Sequence, residues 1–175
     1  MSDFLEKCFS PATLAGLELP NRVIKAATFE GMCPGAEPSE RLIAHHREVA
    51  EGGVALTTLA YCAVEADGRV KSEMMYMHEG LRPQLERLAR EVHEAGAKLS
   101  GQMGHCGNFS QNADFRGKRP LGPSRMLNMG GIPVGLPFAG AMKQADIDRL
   151  VGLFREAAGF MKSVEIGRAS CRERV

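Results

Sequence analysis

Gln102, His105 and Cys106 fall within one short stretch, Leu99-Ser100-Gly101-Gln102-Met103-Gly104-His105-Cys106-Gly107-Asn108. Gln102 offers a hydrogen-bond donor and an acceptor side by side, His105 an imidazole that can hold or move a proton, and Cys106 a thiol. The stretch follows an amphipathic segment and Gly96, so it reads as a short strand that surfaces into a glycine-punctuated loop. Polar groups just past the carboxyl end of a parallel strand are where α/β enzymes keep their chemistry. The thiol is the weakest of the three. One His-Cys pair without spaced partners makes neither a metal site nor a redox couple, so Cys106 is expected to be inert packing. His105 either shapes a ligand's surroundings or is a rim histidine bonded to a carbonyl.

The elements that must carry these groups follow from periodicity. Arg22-Val23-Ile24-Lys25-Ala26-Ala27 has a β-branched centre and reads as a first strand, running into the small-residue loop Thr28-Phe29-Glu30-Gly31-Met32. Ahead of it, Leu14-Ala15-Gly16-Leu17-Glu18-Leu19 reads as a small hairpin or cap. After the loop Pro34-Gly35-Ala36-Glu37-Pro38, Ser39 can cap a helix from Glu40 towards Glu51, which Gly52-Gly53 ends. The near-continuous apolar run over 54–60 reads as a strand buried on both faces. Leu81, Leu85, Leu88 and Val92 share one stripe of a helix over 81–93, with Pro83 tolerated in its first turn. The Gly- and Pro-rich region from Phe115 to Phe138 reads as a long loop serving as a lid. A helix starting at Asp146 then aligns Ile147, Leu150, Val151, Phe154, Ala157 and Ala158. Alternating strands and helices joined by βαβ connections specify an α/β fold.

At 175 residues, 44% hydrophobic and net charge +1, the chain can build one ordinary core. No basic tract argues for nucleic acid, and no apolar run approaches the ~20 residues needed to span a bilayer. The opening Met1-Ser2-Asp3-Phe4-Leu5-Glu6-Lys7 lacks a signal peptide's apolar region, so a cytoplasmic location is expected. Five cysteines, none in a Cys-x-x-Cys pair, fit reduced thiols rather than disulfides or a structural metal.

The order Gly96-Ala97-Lys98 followed by Gln102-Met103-x-His105-x-Gly107 resembles the Gln-Leu-x-His-x-Gly segment of the flavin-dependent ene reductases, the old yellow enzyme and NADH:flavin oxidoreductase family. Other stretches are similar to it as well: the lead Pro11, Gly16, Leu19-x-Asn21-Arg22; Ala50-Glu51-Gly52-Gly53-Val54 before the second strand; Gly68-Arg69; Pro123-Ser124; and Phe154-x-x-Ala157-Ala158. The chain departs where the family has Ala-Pro-Met-Thr and it has Ala26-Ala27-Thr28-Phe29.

The resemblance implies the N-terminal portion of a (β/α)8 TIM barrel, about three βα units, with residues 1–164 forming a partial FMN-binding domain. It implies FMN and NAD(P)H as cofactors, with hydride passing from NAD(P)H through FMN to an activated alkene or similar acceptor. The matching cofactor-binding positions are Ala26, Ala27, Thr28, Tyr61, Gln102 and His105. Gln102 would bond the flavin's pyrimidine edge, backbone at Ala27, Thr28 and Tyr61 would line it, and His105 would shape its surroundings. Tyr61 stands where the family has a small residue, and Phe29 where it has a Thr whose hydroxyl tunes the ring.

The family's catalytic residues, a substrate-anchoring His and His/Asn pair and a proton-donating Tyr, are expected beyond Val164. The partner is a small-molecule substrate, with self-association into a homo-oligomer left open. Residues 165–175 look like translated sequencing adapter and are expected to be a non-native tail, which would leave the truncated chain inactive. The alternative makes Val164-Glu165-Ile166 the start of a genuine fourth strand. Two other readings stay open: a flavin-free barrel lyase or isomerase, and a non-catalytic fragment.

Overall fold

The computed structural model describes residues 2–115 and 118–173. Helix α1 (Ser2–Cys8) leads into the antiparallel hairpin of β1 (Ala12–Leu14) and β2 (Leu17–Leu19). The two-residue turn is closed by Ala15 and Gly16, both at positive φ, as a tight hairpin requires. Leu17 and Leu19 then pack on Ala55 and Leu56, so the hairpin covers the amino end of the main sheet.

That sheet holds β3 (Ile24–Lys25), β4 (Leu56–Ala63), β5 (Lys98–His105) and a last strand, β9 (Arg168–Glu173), in the order β3-β4-β5-β9, every neighbour parallel. Between them run α2 (Glu40–Glu51), α3 (Arg82–Glu94) and α4 (Gln144–Ser163). Each new strand adds on the same side of the last. Right-handed crossovers therefore put every helix on one face, which is how a barrel wall is built and not how a doubly wound sheet is built.

Alternation along β5 sorts its residues. Leu99 and Met103 join the core beneath the helices, and a side chain at Gly101 would collide with Met161 of α4. Ser100 and Gln102 face the other way, where the Ser100 and Thr58 hydroxyls bond at 2.8 Å.

The local signals for α2 hold to the residue: Ser39 Oγ accepts from Leu42 N at 3.3 Å, and the helix ends at Glu51 before Gly52. The expected stripe Leu81, Leu85, Leu88 and Val92 is fully buried. Other expectations need correction. The first strand shrinks from 22–27 to Ile24–Lys25, because Val23 and Ile24 lie on an edge and stay exposed. The region from Phe115 to Phe138 is not all loop, since β6 (Leu121–Gly122) and β7 (Met126–Leu127) lie within it and pair with β8 (Phe138–Ala141), which starts at its last residue, in a three-stranded sheet. Helix α4 begins at Gln144, and of its expected stripe only Ala157 is buried, with Met161 covered beyond it, while Ile147 and Val151 face solvent.

Ile166, assigned from sequence to the tail, is 1% exposed and packs beside Gly101, and Gly167 N donates to Leu99 O. Residues 168–173 fill the open edge of β5, whose unpaired N–H and C=O groups accept any segment able to extend. Arg174 and Val175 lie outside the described residues. Among the described residues no helix is long and apolar enough to cross a membrane.

Candidate functional site

The carboxyl ends of β3, β4 and β5 open into a cavity of about 400 Å³, lined by Ala27, Thr28, Phe29, Tyr61, Val70, Lys71, Met74, Gln102 and Cys106. Gln102 reaches it because it shares the inner face of β5 with Ser100. Tyr61 reaches it through a β-bulge. Leu59 pairs with Gly101 and Cys62 with Met103, so β4 takes three steps where β5 takes two, and the extra residue re-aims the side chain. Gly104 makes room for the result, since a Cβ there would collide with the Tyr61 ring. The Gln102 carboxamide makes no side-chain hydrogen bond among the described residues, so its donor and acceptor are free for a ligand.

The loop after β4 is fixed by Arg69, whose guanidinium is almost wholly buried. It donates to Ala66 O at 2.9 Å and Ser72 O at 2.6 Å, pairs with Asp114 at 3.3 Å and lies over the Tyr76 ring. Gln111 N donates to Val70 O at 2.8 Å, which locks the same turn from the side of β5. Cys106 donates its thiol proton to Arg69 O at 3.2 Å, and burial above all pushes it up to about 11. It lines the cavity as a protonated, unreactive thiol.

An ion pair that is part-buried joins the last residue of β3 to the loop that follows it. Lys25 Nζ is 2.6 Å from Glu30 Oε1, and Glu30 Oε2 accepts from Ala60 N at 3.3 Å, which ties the loop after β3 to β4 one residue before Tyr61. His46 of α2 is fully buried, bonds Thr57 Oγ1 through Nδ1 at 2.8 Å, and brings Nε2 to 3.6 Å from Glu30. Desolvation, helped by the charge on Lys25, lowers it to about 3, so the ring is neutral.

His105 ends β5 three residues after Gln102, an odd spacing that turns it to the opposite face. Gly107 N donates to its Nδ1 at 3.0 Å, so the ring proton sits on Nε2, 3.1 Å from Glu65 Oε1. Arg149 of α4 holds the other Glu65 oxygen at 2.6 Å.

Of the residues singled out from sequence, Ala27, Thr28, Tyr61 and Gln102 converge on the cavity, while Ala26 is exposed beside it and His105 is tied to Glu65 away from it. Sequence reasoning missed Val70 and Lys71, which are placed by the buried Arg69 rather than by any local pattern. Alternation along β5 carried the signal that Gln102 and His105 point apart.

The sequence profile of the NADH:flavin oxidoreductase / NADH oxidase family matches residues 7–167. A 4,4'-dithiodibutanoate disulfide reductase from Rhodococcus erythropolis is 41% identical over 150 residues, covering 86% of this chain and 36% of that protein. A metal reductase from Desulforamulus reducens is 30% identical over 152 residues, covering 86% of this chain and 22% of its own length. The chain thus spans about a third or less of the curated relatives it matches. Among solved structures, old yellow enzyme from Pichia sp. AKU4542 superposes with a TM-score of 0.86 at 15% identity, over 94% of this chain and 45% of that one. Morphinone reductase in complex with tetrahydroNAD gives 0.82 at 20%, over 94% and 48%. These likenesses make the sheet and its helices part of a (β/α)8 barrel, and the profile match assigns the chain to the NADH:flavin oxidoreductase / NADH oxidase family.

Proposed function

We propose that the protein containing this chain is an FMN-dependent oxidoreductase that takes hydride from NAD(P)H and delivers it to an activated alkene or a related acceptor. The carrying observation is the cavity at the strand ends, where an unpartnered carboxamide meets apolar walls. A flavin ring presents alternating acceptors and donors on its pyrimidine edge and flat apolar faces, and the residues present fit that edge. When bound, FMN supplies the hydride chemistry.

The chain's own residues bind and orient. Gln102 offers its amide to the ring edge, backbone at Ala27 and Thr28 closes one side, and Tyr61 and Met74 flank it and keep water out. Glu30 holds the two cavity-lining segments together through Lys25 and Ala60 N. His105 acts from outside the cavity by anchoring the end of β5 to Glu65. Among the described residues this cavity holds no basic cradle for a phosphate, which barrels of this kind build from later strands.

The Rhodococcus relative's name specifies a disulfide with a carboxylate at each end, which adds disulfides to the acceptors worth testing. Cys33, Cys62 and Cys106 are buried and unpaired, which supports a reducing, cytoplasmic setting. We hold residues 168–175, which lie beyond the profile match and beyond the core residue Ile166, apart from the family domain. Sequencing the gene past codon 167 tests that: a different continuation supports it, and the same codons in genomic DNA refute it. For the activity, the full-length protein should purify yellow, bleach with NAD(P)H without oxygen, and recover colour on adding an activated alkene or a disulfide. A colourless full-length protein that binds no FMN refutes it.

A further inference from the structure

We propose that Lys71 is a substrate-recognition residue that pairs with a carboxylate, or an equally anionic group, on the molecule being reduced. This deepens the flavin reading above and rests on it.

Among the described residues, Lys71 is the only charged side chain lining the cavity. Phe29, Tyr61, Val70 and Met74 give the walls their apolar character, and no carboxylate is among the lining residues. Among the described residues Lys71 enters no ion pair, whereas Lys25 and Lys118 are each held by a carboxylate, at 2.6 and 2.8 Å. Its backbone is nevertheless well fixed. Arg69 bonds across it to Ser72 O, Gln111 N holds Val70 O, and Met74 N donates to Lys71 O at 3.2 Å. The result is an ammonium on a firm backbone at the mouth of an otherwise uncharged cavity, a counter-charge without an internal partner.

Between apolar walls, and with water displaced by a bound ligand, an ion pair is stronger than the same pair on an open surface. A lysine suits a single carboxylate approaching from varied angles, because it is a point charge on a flexible stem rather than a rigid fork. The same ammonium could instead answer negative charge gained by the flavin ring on reduction, so the experiment separates the two sources.

In full-length, FMN-loaded enzyme, kcat/KM is compared for an ω-carboxyalkyl disulfide and its dimethyl ester, and calorimetry measures binding of both. Lys71→Met should lower the acid-to-ester ratio by at least about tenfold in kcat/KM, carried by KM, and in affinity. Lys71→Arg should retain most of the acid preference. An unchanged ratio in Lys71→Met overturns the proposal, as does an equal loss for acid and ester. A shifted flavin potential with the ratio intact would assign the charge to the ring and also overturn it. If the full-length protein holds no FMN, the flavin reading fails separately, and the calorimetric ratio still decides for or against Lys71.

Discussion

His105 Nε2 lies 3.1 Å from Glu65 Oε1, joining the last residue of β5 to the loop that follows β4. Arg149 closes the arrangement from α4. Burial opposes ionisation of Glu65, but hydrogen bonds from His105 and Arg149 outweigh it and hold the carboxyl down at about 2, against an ordinary value of 4.5. A carboxylate whose folded value is depressed stabilises the fold above its unfolded value and loses that contribution as pH falls towards the folded one. In the full-length protein, Glu65→Gln should therefore cost on the order of 1–3 kcal/mol near neutrality, and the gap from wild type should close as pH falls from about 4.5 to about 2. Urea unfolding across that range checks it, and a gap independent of pH counts against the pairing.

Gln102→Leu removes the one carboxamide in the cavity at nearly constant volume. Losing a hydrogen bond to a buried partner costs on the order of 1–3 kcal/mol, so FMN should dissociate roughly tenfold or more readily and its midpoint potential should move. Fluorescence titration and redox potentiometry read both. If neither changes, the amide serves only the barrel rim.

Phe29 lines the cavity and remains half exposed at 49%. A phenyl ring cannot donate to a flavin, whereas a threonine hydroxyl there can. Phe29→Thr should change one redox half-reaction more than it changes stability, as followed by stopped-flow reduction and reoxidation. Two unchanged rates would leave Phe29 a packing residue.

Lys25 and Glu30 form a part-buried pair, with the Glu30 side chain the more covered, so removing Lys25 strands a carboxylate that is largely shielded from water. Lys25→Met alone should cost on the order of 1–3 kcal/mol, and the double change Lys25→Met with Glu30→Met should cost less than that single change. A double-mutant cycle by urea unfolding measures the coupling. Additive losses would show that the pair is not coupled.

The parts legible in sequence are those governed by local forces. Ser39 and Gly52 bracket α2 because caps act within a few residues, and the stripe from Leu81 to Val92 is buried because helical spacing alone aligns it. A strand after the helix that ends before Gly96 was equally plain, but β5 runs on through His105, so Gln102 projects from within the strand and not from a loop beyond it.

What only the tertiary structure decided is direction and company. Tyr61 turns into the cavity because of a register shift between β4 and β5 that neither strand encodes by itself. Lys71 reaches the same cavity because Arg69 finds Ser72, Asp114 and Tyr76 around it, partners as far as 45 residues away in the chain. Ile166 belongs to the core because Gly101 leaves space beside Met161, a fit between elements rather than a property of the segment. Periodicity assigns a residue to a face, but which face meets a cavity depends on the neighbours that complete it.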